Sequence, residues 1–185
     1  MGEKDKQSRD EVALEKARQK VYDVFDALCI PYMVYMHPPI FSAAERIEKQ
    51  VEVDGLICKN LFLRNKDKSR YYLYTLPIDK RADLVRLGKM IGESRLSFGD
   101  AEALWEKLHI TPGSVSLLNI VGAHKNASLQ GKEFNSDGLK FLIDSETLDV
   151  PGIGLHPNDN SATIVFSASD LPSILEHYGA EYEFV

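Results

Sequence analysis

The stretch Leu56-Ile57-Cys58-Lys59-Asn60-Leu61-Phe62-Leu63-Arg64 is strongly β-prone, since six of its nine side chains are apolar. The polar residues Asn65-Lys66-Asp67-Lys68-Ser69 follow it, and residues 71–76 form a second apolar run. Two apolar runs joined by a short polar segment are typical of a β-hairpin. We therefore predict a hairpin over residues 56–76.

Helical and extended patterns alternate irregularly on both sides of this hairpin. Ser8 and Glu11 form a capping-box pattern, and the apolar spacing that follows predicts a helix over residues 9–28, with residues 1–8 disordered. Further helix starts are predicted at Ser42, Asp79, Asp100 and Asp170. Further strands are predicted over residues 32–36, 114–121, 139–143, 162–167 and 182–185. This order predicts an α/β (α+β) fold, with helices around a mixed β-sheet, in a single domain spanning residues 1–185.

The composition is that of an ordinary globular protein. The chain has 185 residues, of which 44% are hydrophobic and 27% are charged. No apolar run approaches the ~20 residues of a membrane span, and the charged N-terminus lacks the apolar core of a secretion signal. Neither Cys29 nor Cys58 has a Cys-x-x-Cys or Cys/His metal-binding spacing. We expect a cytoplasmic protein with reduced thiols, without a metal or another cofactor and without a membrane partner.

The net charge of the chain does not indicate a nucleic-acid-binding protein. Its net charge is −6 at pH 7, so no global positive field is expected. Basic residues nevertheless cluster along the first hairpin strand and its turn (Lys59, Arg64, Lys66, Lys68, Arg70) and after the second strand (Lys80, Arg81, Arg86, Lys89). Such clusters are either solvated faces or phosphate contacts, and a protein that grips only the end of a nucleic acid needs few of the latter.

The common catalytic templates are absent from the sequence. It contains no Gly-x-Gly-x-x-Gly, no phosphate-binding Gly-x₄-Gly-Lys-Ser/Thr, no His-Glu-x-x-His and no Gly-x-Ser-x-Gly. Ser114 follows a glycine but lacks the second one. The residues alone therefore predict an α/β protein with a pocket, without identifying its chemistry.

Several separated motifs together carry a resemblance to a known family. Three of them are Lys59-Asn60-Leu61-Phe62-Leu63, Thr111-Pro112-Gly113-Ser114-Val115-Ser116 and His156-Pro157-Asn158-Asp159-Asn160-Ser161-Ala162-Thr163. Over roughly residues 20–180 the chain resembles the YbaK and prolyl-tRNA synthetase-associated editing domains, which hydrolyse amino acids wrongly esterified to tRNA. Within that family it is most similar to the free-standing ProX/PrdX-type deacylases of alanyl-tRNA(Pro).

The resemblance assigns roles to the first two motifs. Lys59 corresponds to the essential lysine that contacts the phosphate or ribose of the terminal adenosine, which suits a flexible ammonium. Asn60 corresponds to a residue that holds the backbone or the adenosine. The substrate loop corresponds to residues 113–117, in which the backbone at Gly113 stabilises the developing oxyanion. Its other members are expected to bind substrate and not to act as nucleophiles: Ser114, Val115, Ser116 and Leu117.

Leu117 stands where the family pattern has proline. Leucine leaves the backbone freer than proline would, and its side chain either folds over the pocket or packs into the sheet below. If loop stiffness limits catalysis, Leu117→Pro is expected to raise the rate of deacylation. If leucine fills the amino-acid pocket, the same change is expected to alter the preferred substrate. No effect would mark Leu117 as a strand residue only.

The third motif is expected to line the aminoacyl pocket. The resemblance makes His156 a catalytic residue that positions or discriminates the amino acid. Pro157, Asn160 and Thr163 are the corresponding substrate-binding positions. Without the resemblance, a lone histidine before a proline is a structural turn residue. The remaining histidines, including His37, are interpreted as surface or core residues.

The implied reaction is hydrolysis of the ester between a small amino acid and the ribose of the terminal adenosine. A bound water or the substrate's own ribose hydroxyl takes the place of a protein general base, and the pocket admits alanine but rejects proline. The implied partners are the acceptor end of mischarged tRNA(Pro) and prolyl-tRNA synthetase. Two alternatives stay open: a deacylase for another mischarged amino acid, and a non-catalytic regulator that binds amino acids or aminoacyl-tRNA, which Leu117 favours.

Overall fold

The computed structural model describes residues 3–40, 43–122 and 138–185. In these ranges the helices are α1 (Glu3–Ala27), α2 (Ala43–Glu48), α3 (Leu84–Met90), α4 (Ala101–Leu108) and α5 (Leu171–His177). The strands are β1 (Tyr32–Met36), β2 (Leu56–Asn65), β3 (Tyr71–Pro77), β4 (Leu96–Phe98), β5 (Leu139–Ile143), β6 (Ile153–Leu155), β7 (Ala162–Phe166) and β8 (Glu181–Phe184). Short 3₁₀ helices cover Ser145–Asp149 and Ala168–Asp170.

The eight strands form one mixed sheet in the order β1-β7-β6-β2-β3-β5-β8, and β4 also pairs with β2. The predicted hairpin is confirmed, because β2 and β3 are antiparallel neighbours with Lys59 opposite Leu76. β2 also pairs in parallel with β6 and antiparallel with β4. The mixed α/β fold that the sequence predicts is therefore confirmed, with the hairpin in its interior.

Helix α1 packs against the β1–β7 edge of the sheet. Val21 and Phe25 are fully buried on its inner face, and the Phe25 ring lies edge-on to Phe166 of β7 and Tyr32 of β1, with centroids 4.8 and 5.4 Å apart. The helix begins at Glu3, so the prediction that residues 3–8 are disordered is wrong. Glu, Lys and Gln all favour helix, and this charged stretch extends the helix upstream of the capping box.

Side chain to backbone hydrogen bonds explain two other differences from the sequence predictions. Helix α3 is capped by Asp83 and not by Asp79, since the Asp83 carboxylate accepts from the backbone N–H groups of Val85 and Arg86. Residues 114–121 form turns and a helical segment instead of the predicted strand. There Asn119 Oδ1 accepts from Ser116 N at 2.5 Å, and such local bonds compete with a strand ladder.

The remaining predicted elements are found with small shifts of their bounds. Asp100 caps α4 as predicted, accepting from Ala103 N at 2.9 Å. The strands β4 and β6 were not predicted, because three residues are too few to show a period. The predicted helix start at Ser42 lies outside the described residues, and α2 is described from Ala43.

Candidate active site

Two adjoining cavities open where the N-terminal end of β2 meets β6 and β7. The smaller cavity has a volume of about 100 Å³ and is lined by residues of β2, β6 and β7 and of the segments before α2 and after β6. The larger one, about 640 Å³, lies between α2, the segment after it and the end of β3. Arg46, Ile57 and Ile78 line both cavities and thus form their common wall.

The structure brings together part of the predicted site. His156, Asn160 and Thr163 all line the smaller cavity. As far as the described residues go, the walls of the two cavities do not include Lys59, Asn60, Gly113, Ser114, Val115, Ser116, Leu117 or Pro157. Residues of the third motif therefore line the smaller cavity, whereas the predicted site residues of the other two motifs do not.

Lys59 reaches the common wall through one hydrogen bond. It is half-buried on β2, and its Nζ donates to the carbonyl oxygen of Ile78 at 2.7 Å. An ammonium can exchange such a carbonyl for a phosphate or ribose oxygen. The position of Lys59 is thus compatible with the role that the resemblance implies.

Asn60 fastens the loop after α4 to the central hairpin. Its Oδ1 accepts from Thr75 Oγ1 at 2.8 Å and from Leu117 N at 3.2 Å. The amide oxygen of Asn60 is therefore used inside the protein, as the backbone-holding role requires.

The substrate loop expected at residues 113–117 uses most of its own N–H groups. Residues 111–114 form a type II turn, in which Ser114 N donates to Thr111 O at 3.3 Å and Gly113 has the positive φ of +91° that this turn demands. Ser116 N and Leu117 N donate to Asn119 and Asn60. Only the N–H groups of Gly113 and Val115 lack an acceptor among the described residues, so the predicted oxyanion role is restricted to these two.

Leu117 packs inward. Its side chain is fully buried in the hydrophobic core, and residue 117 belongs to a turn and not to a strand. Of the placements left open by the sequence, the structure shows the one in which leucine packs into the core below and leaves the pocket open.

His156 links this loop to the cavity and is held as a neutral imidazole. Its Nε2 lies 3.1 Å from the carbonyl oxygen of Val115, so Nε2 carries the proton and donates. In this neutral form its Nδ1 is unprotonated, and it is buried without a hydrogen-bond partner among the described residues. Burial lowers the pKa of His156 below its usual value. The cavity wall thus contains an unpaired acceptor.

His37 is a cavity residue that the sequence interpretation placed among surface or core histidines. Its Nδ1 lies 2.9 Å from Pro38 O and donates to it, so Nε2 accepts from Thr163 Oγ1 at 2.9 Å. Burial lowers the pKa of His37 as well. The available signal was the run His37-Pro38-Pro39, which is a further motif in the resemblance to the editing domains.

Asp159 and Arg18 support the site from behind. The Asp159 side chain is fully buried and forms an ion pair with Arg18 of α1. Asp159 Oδ1 also accepts from Ser161 N and Ser161 Oγ, each at 2.8 Å. Burial raises the pKa of Asp159, but the bonds from Ser161 and Arg18 outweigh it and leave that pKa below its usual value. No pattern in the sequence indicated this pairing between residues 141 positions apart.

Among the described residues, no three His, Cys, Asp or Glu side chains cluster in a way that could hold a metal ion. Within the same residues, no helix has the length and apolar character needed to cross a membrane.

Comparison with known proteins identifies the family. The sequence model of the aminoacyl-tRNA editing domain matches residues 37–174, and the chain belongs to this family. Membership places it among the aminoacyl-tRNA deacylases, ester hydrolases that act on mischarged tRNA.

Individual relatives agree with this family. The chain is 30% identical to the prolyl-tRNA editing protein ProX of Acetoanaerobium sticklandii, over 91% of this chain and 96% of the relative. It is 31% identical to prolyl-tRNA synthetase associated domain-containing protein 1 of Mus musculus, over 86% and 89% of the two chains. A solved candidate trans-editing enzyme for prolyl-tRNA synthetase has the same fold, with a TM-score of 0.60, 19% identity and coverage of 91% and 95%.

Proposed function

We propose that this protein is a trans-editing deacylase that removes alanine from mischarged tRNA(Pro). The observation that carries the proposal is the convergence of His156, Asn160 and Thr163 on a cavity of about 100 Å³. Water occupies about 30 Å³ per molecule in the liquid, so this cavity has room for only a few heavy atoms. Alanine has a side chain of one carbon, and the cavity size favours such a small amino acid.

The two cavities suit the two parts of the substrate. We place the aminoacyl group in the smaller cavity and the terminal adenosine in the larger one of about 640 Å³. The ester that joins them then lies at the common wall, to which Lys59 is hydrogen-bonded through Ile78. Lys59 would exchange this carbonyl for the phosphate or ribose of the nucleotide.

The polar groups of the smaller cavity suit substrate positioning. The unprotonated Nδ1 of His156 can accept a hydrogen bond from the α-ammonium group of the amino acid, because it has no partner among the described residues. Thr163 is oriented by its bond to His37. The attacking water would be held between these groups and the ribose hydroxyl of the substrate, so no protein nucleophile is needed.

The name of one relative supports the proposed tRNA, without specifying the amino acid that is removed. The Acetoanaerobium sticklandii relative is described as a prolyl-tRNA editing protein. An enzyme of this kind acts after prolyl-tRNA synthetase has mischarged the tRNA. We therefore propose a single editing domain, located in the cytoplasm with the translation machinery, and prolyl-tRNA synthetase as a partner.

A panel of mischarged tRNAs tests the proposal. Loss of radiolabelled amino acid is measured in single turnover for alanyl-, cysteinyl-, seryl- and threonyl-tRNA, with prolyl-tRNA(Pro) as the cognate ester. We expect alanyl-tRNA(Pro) to be hydrolysed fastest and prolyl-tRNA(Pro) to persist. Faster hydrolysis of another ester would reassign the substrate, and tight binding without hydrolysis of any ester would make the protein a binder.

A further inference from the structure

Arg46 of α2 stands at the boundary between the two cavities. It lines both of them, together with the apolar residues Ile57 and Ile78. Among the residues of this common wall, Arg46 is the charged one. Any molecule that extends from one cavity into the other must therefore pass its guanidinium group.

The guanidinium of Arg46 has an unused hydrogen-bond donor. Its Nη2 is buried and has no partner among the described residues. Arg46 also has no ion pair in that part of the chain, and the nearby Lys49 ammonium is paired with Glu45 at 3.3 Å. Burial lowers the pKa of Arg46. A buried N–H without an acceptor is costly, which indicates that an acceptor arrives with the ligand.

The reaction itself requires such a donor at this place. The expected substrate loop has committed the N–H groups of Ser114, Ser116 and Leu117 to acceptors inside the protein. Gly113, one of the two loop residues with an unused N–H, is exposed in the turn that opens the loop and lines neither cavity. This loop therefore offers few backbone donors to a developing oxyanion.

We propose that Arg46 is a catalytic residue whose Nη2–H donates to the carbonyl oxygen of the scissile ester and to the oxyanion that forms there. This inference rests on the proposed function, because it requires the amino acid and the nucleotide to occupy the two cavities. Preorganised donors of this kind lower the barrier because they are aligned before charge develops.

The step is a simple hydrolysis. Water adds to the carbonyl carbon, and the electron pair of the C=O double bond moves to the oxygen that faces Arg46. When this tetrahedral oxyanion collapses, the bond to the ribose oxygen breaks and that oxygen takes a proton from the added water. The products are the free amino acid and the tRNA with its terminal ribose restored.

The surrounding charges favour an ester over a phosphate as the partner of Arg46. The larger cavity is also lined by the carboxylates of Glu52 and Asp79, which oppose a phosphate beside Arg46. The adenosine in this cavity then presents its ribose, and not its phosphate, at the common wall. The α-ammonium of the amino acid is repelled by Arg46 and points instead toward the neutral His156. The partial negative charge of the ester carbonyl is then the acceptor that remains at the common wall.

Three variants test this inference in the full chain. Arg46→Ala removes the donor, Arg46→Lys keeps the charge without the planar fork, and Arg95→Ala removes an exposed arginine beside β4, away from both cavities. The measurements are the single-turnover deacylation rate at saturating protein, the half-saturation concentration, and the Kd of an unreactive analogue, adenosine with alanine joined at its 3′ position by an amide. Circular dichroism reports the fold of each variant.

We expect Arg46→Ala to lower the saturated rate by about 10²–10³, as loss of one oxyanion donor does elsewhere. The Kd of the analogue should change by less than about threefold, since its ground state uses this bond weakly. Arg46→Lys should lose part of the rate, and Arg95→Ala none.

Other results overturn the inference. An unchanged saturated rate in Arg46→Ala would show that Arg46 only lines the cavities. A change in the half-saturation concentration alone would show that Arg46 contacts the substrate in the ground state only. If the unaltered protein hydrolysed no ester of the panel, the proposed function would fail together with this inference. Activity of the unaltered protein with an equally active Arg46→Ala would overturn the inference alone.

Discussion

Lys59 contributes one hydrogen bond to the protein and, in the proposed mechanism, a charge to the substrate. We expect Lys59→Ala to abolish deacylation, because neutral alanine cannot contact the phosphate or ribose of the terminal adenosine. The fold should persist, since the lost bond to Ile78 O is worth about 1 kcal/mol. The check is single-turnover deacylation with circular dichroism, and Lys16→Ala on the exposed face of α1 is the control. Full activity in a folded Lys59→Ala protein would remove Lys59 from the mechanism.

His156 makes the reaction sensitive to acid. The substrate needs the unprotonated Nδ1, and burial holds the pKa of His156 below its usual 6.5. We therefore expect a constant saturated rate above pH 6.5 and a decline only at lower pH. The same shift makes His156 stabilise the fold fully above pH 6.5, and this contribution is lost as the pH falls toward the lowered pKa.

A pH–rate profile between pH 4.5 and 8 checks this expectation. His177 is exposed at the end of α5, so His177→Gln is the matched control and should leave the acid limb in place. A profile in which the rate rises on protonation would show that the charged imidazolium is the active form.

Leu117 shows where a family pattern misled at a single residue. The sequence suggested that Leu117→Pro could stiffen the loop and raise the rate. The structure argues for the opposite result, because proline removes both the N–H that binds Asn60 and a fully buried side chain. We expect a loss of about 2–4 kcal/mol in the free energy of unfolding, measured by urea denaturation. Equal stability and a faster rate would restore the original expectation.

The sequence predicted those site residues that lie close together within one motif. His156, Asn160 and Thr163 lie within eight positions, and a single tight loop and strand bring them to one cavity. Arg46 and Arg18 could not be predicted, because in the sequence each looks like an ordinary solvated charge on a helix. Their roles arise from packing across the fold, and one sequence holds no record of such contacts.

At the scale of secondary structure, helix α1 is tied to the site by the pair of Arg18 with the buried Asp159. Removing one partner of a buried pair leaves an uncompensated charge. We expect Arg18→Ala to destabilise the protein by about 3 kcal/mol and to lower the deacylation rate, since Asp159 lies between His156 and Thr163. Urea denaturation and single-turnover kinetics measure the two effects.

Gln19→Ala is the matched control for this prediction. Gln19 neighbours Arg18, but it only bonds the exposed Asp23 of the same helix, at 2.8 Å. This variant should keep both stability and rate. If Arg18→Ala also kept its stability and its deacylation rate, α1 would contribute only packing against the sheet edge and would not support the site.

The elements that were predicted correctly are those with a long period or a strong cap. The ten residues of β2 and the Asp100 cap of α4 are examples. The strand expected at residues 114–121 failed because its apolar residues are buried by turns that Ser116 and Asn119 stabilise locally. Apolar residues in a sequence indicate that a segment is buried. Local hydrogen bonds determine whether the buried backbone is a strand or a turn.

On the scale of the whole molecule, the first basic cluster, apart from Lys59, lies at the tip of the hairpin, and the second follows the opposite end. From Lys59 to Asn65, β2 rises roughly 20 Å, at ~3.3 Å per residue. Lys68 near the hairpin tip is paired with Asp100 at 3.5 Å, whereas the exposed Arg81 follows the cavity residue Ile78 by three positions. Phosphates near the bound acceptor end should therefore meet the cluster that contains Arg81.

The salt dependence of tRNA affinity tests this arrangement. We expect Arg81→Ala to reduce the slope of log affinity against log salt by about 0.7–0.9, the effect of one phosphate contact. Lys66→Ala at the hairpin tip should leave the slope unchanged. The reverse result would place the tRNA along the hairpin, and two unchanged slopes would make both clusters solvated faces.

The ion pair between α1 and Asp159 determines which segment of this enzyme can be transferred intact into a fusion protein. The segment recognised by the family runs from residue 37 to 174, and Arg18 precedes it. A fusion protein that transplants only the recognised segment would carry Asp159 as a lone carboxylate in an apolar setting, without the cation that neutralises it. The unit that can be moved between proteins therefore starts at α1, and its border is set by charge balance and not by sequence similarity.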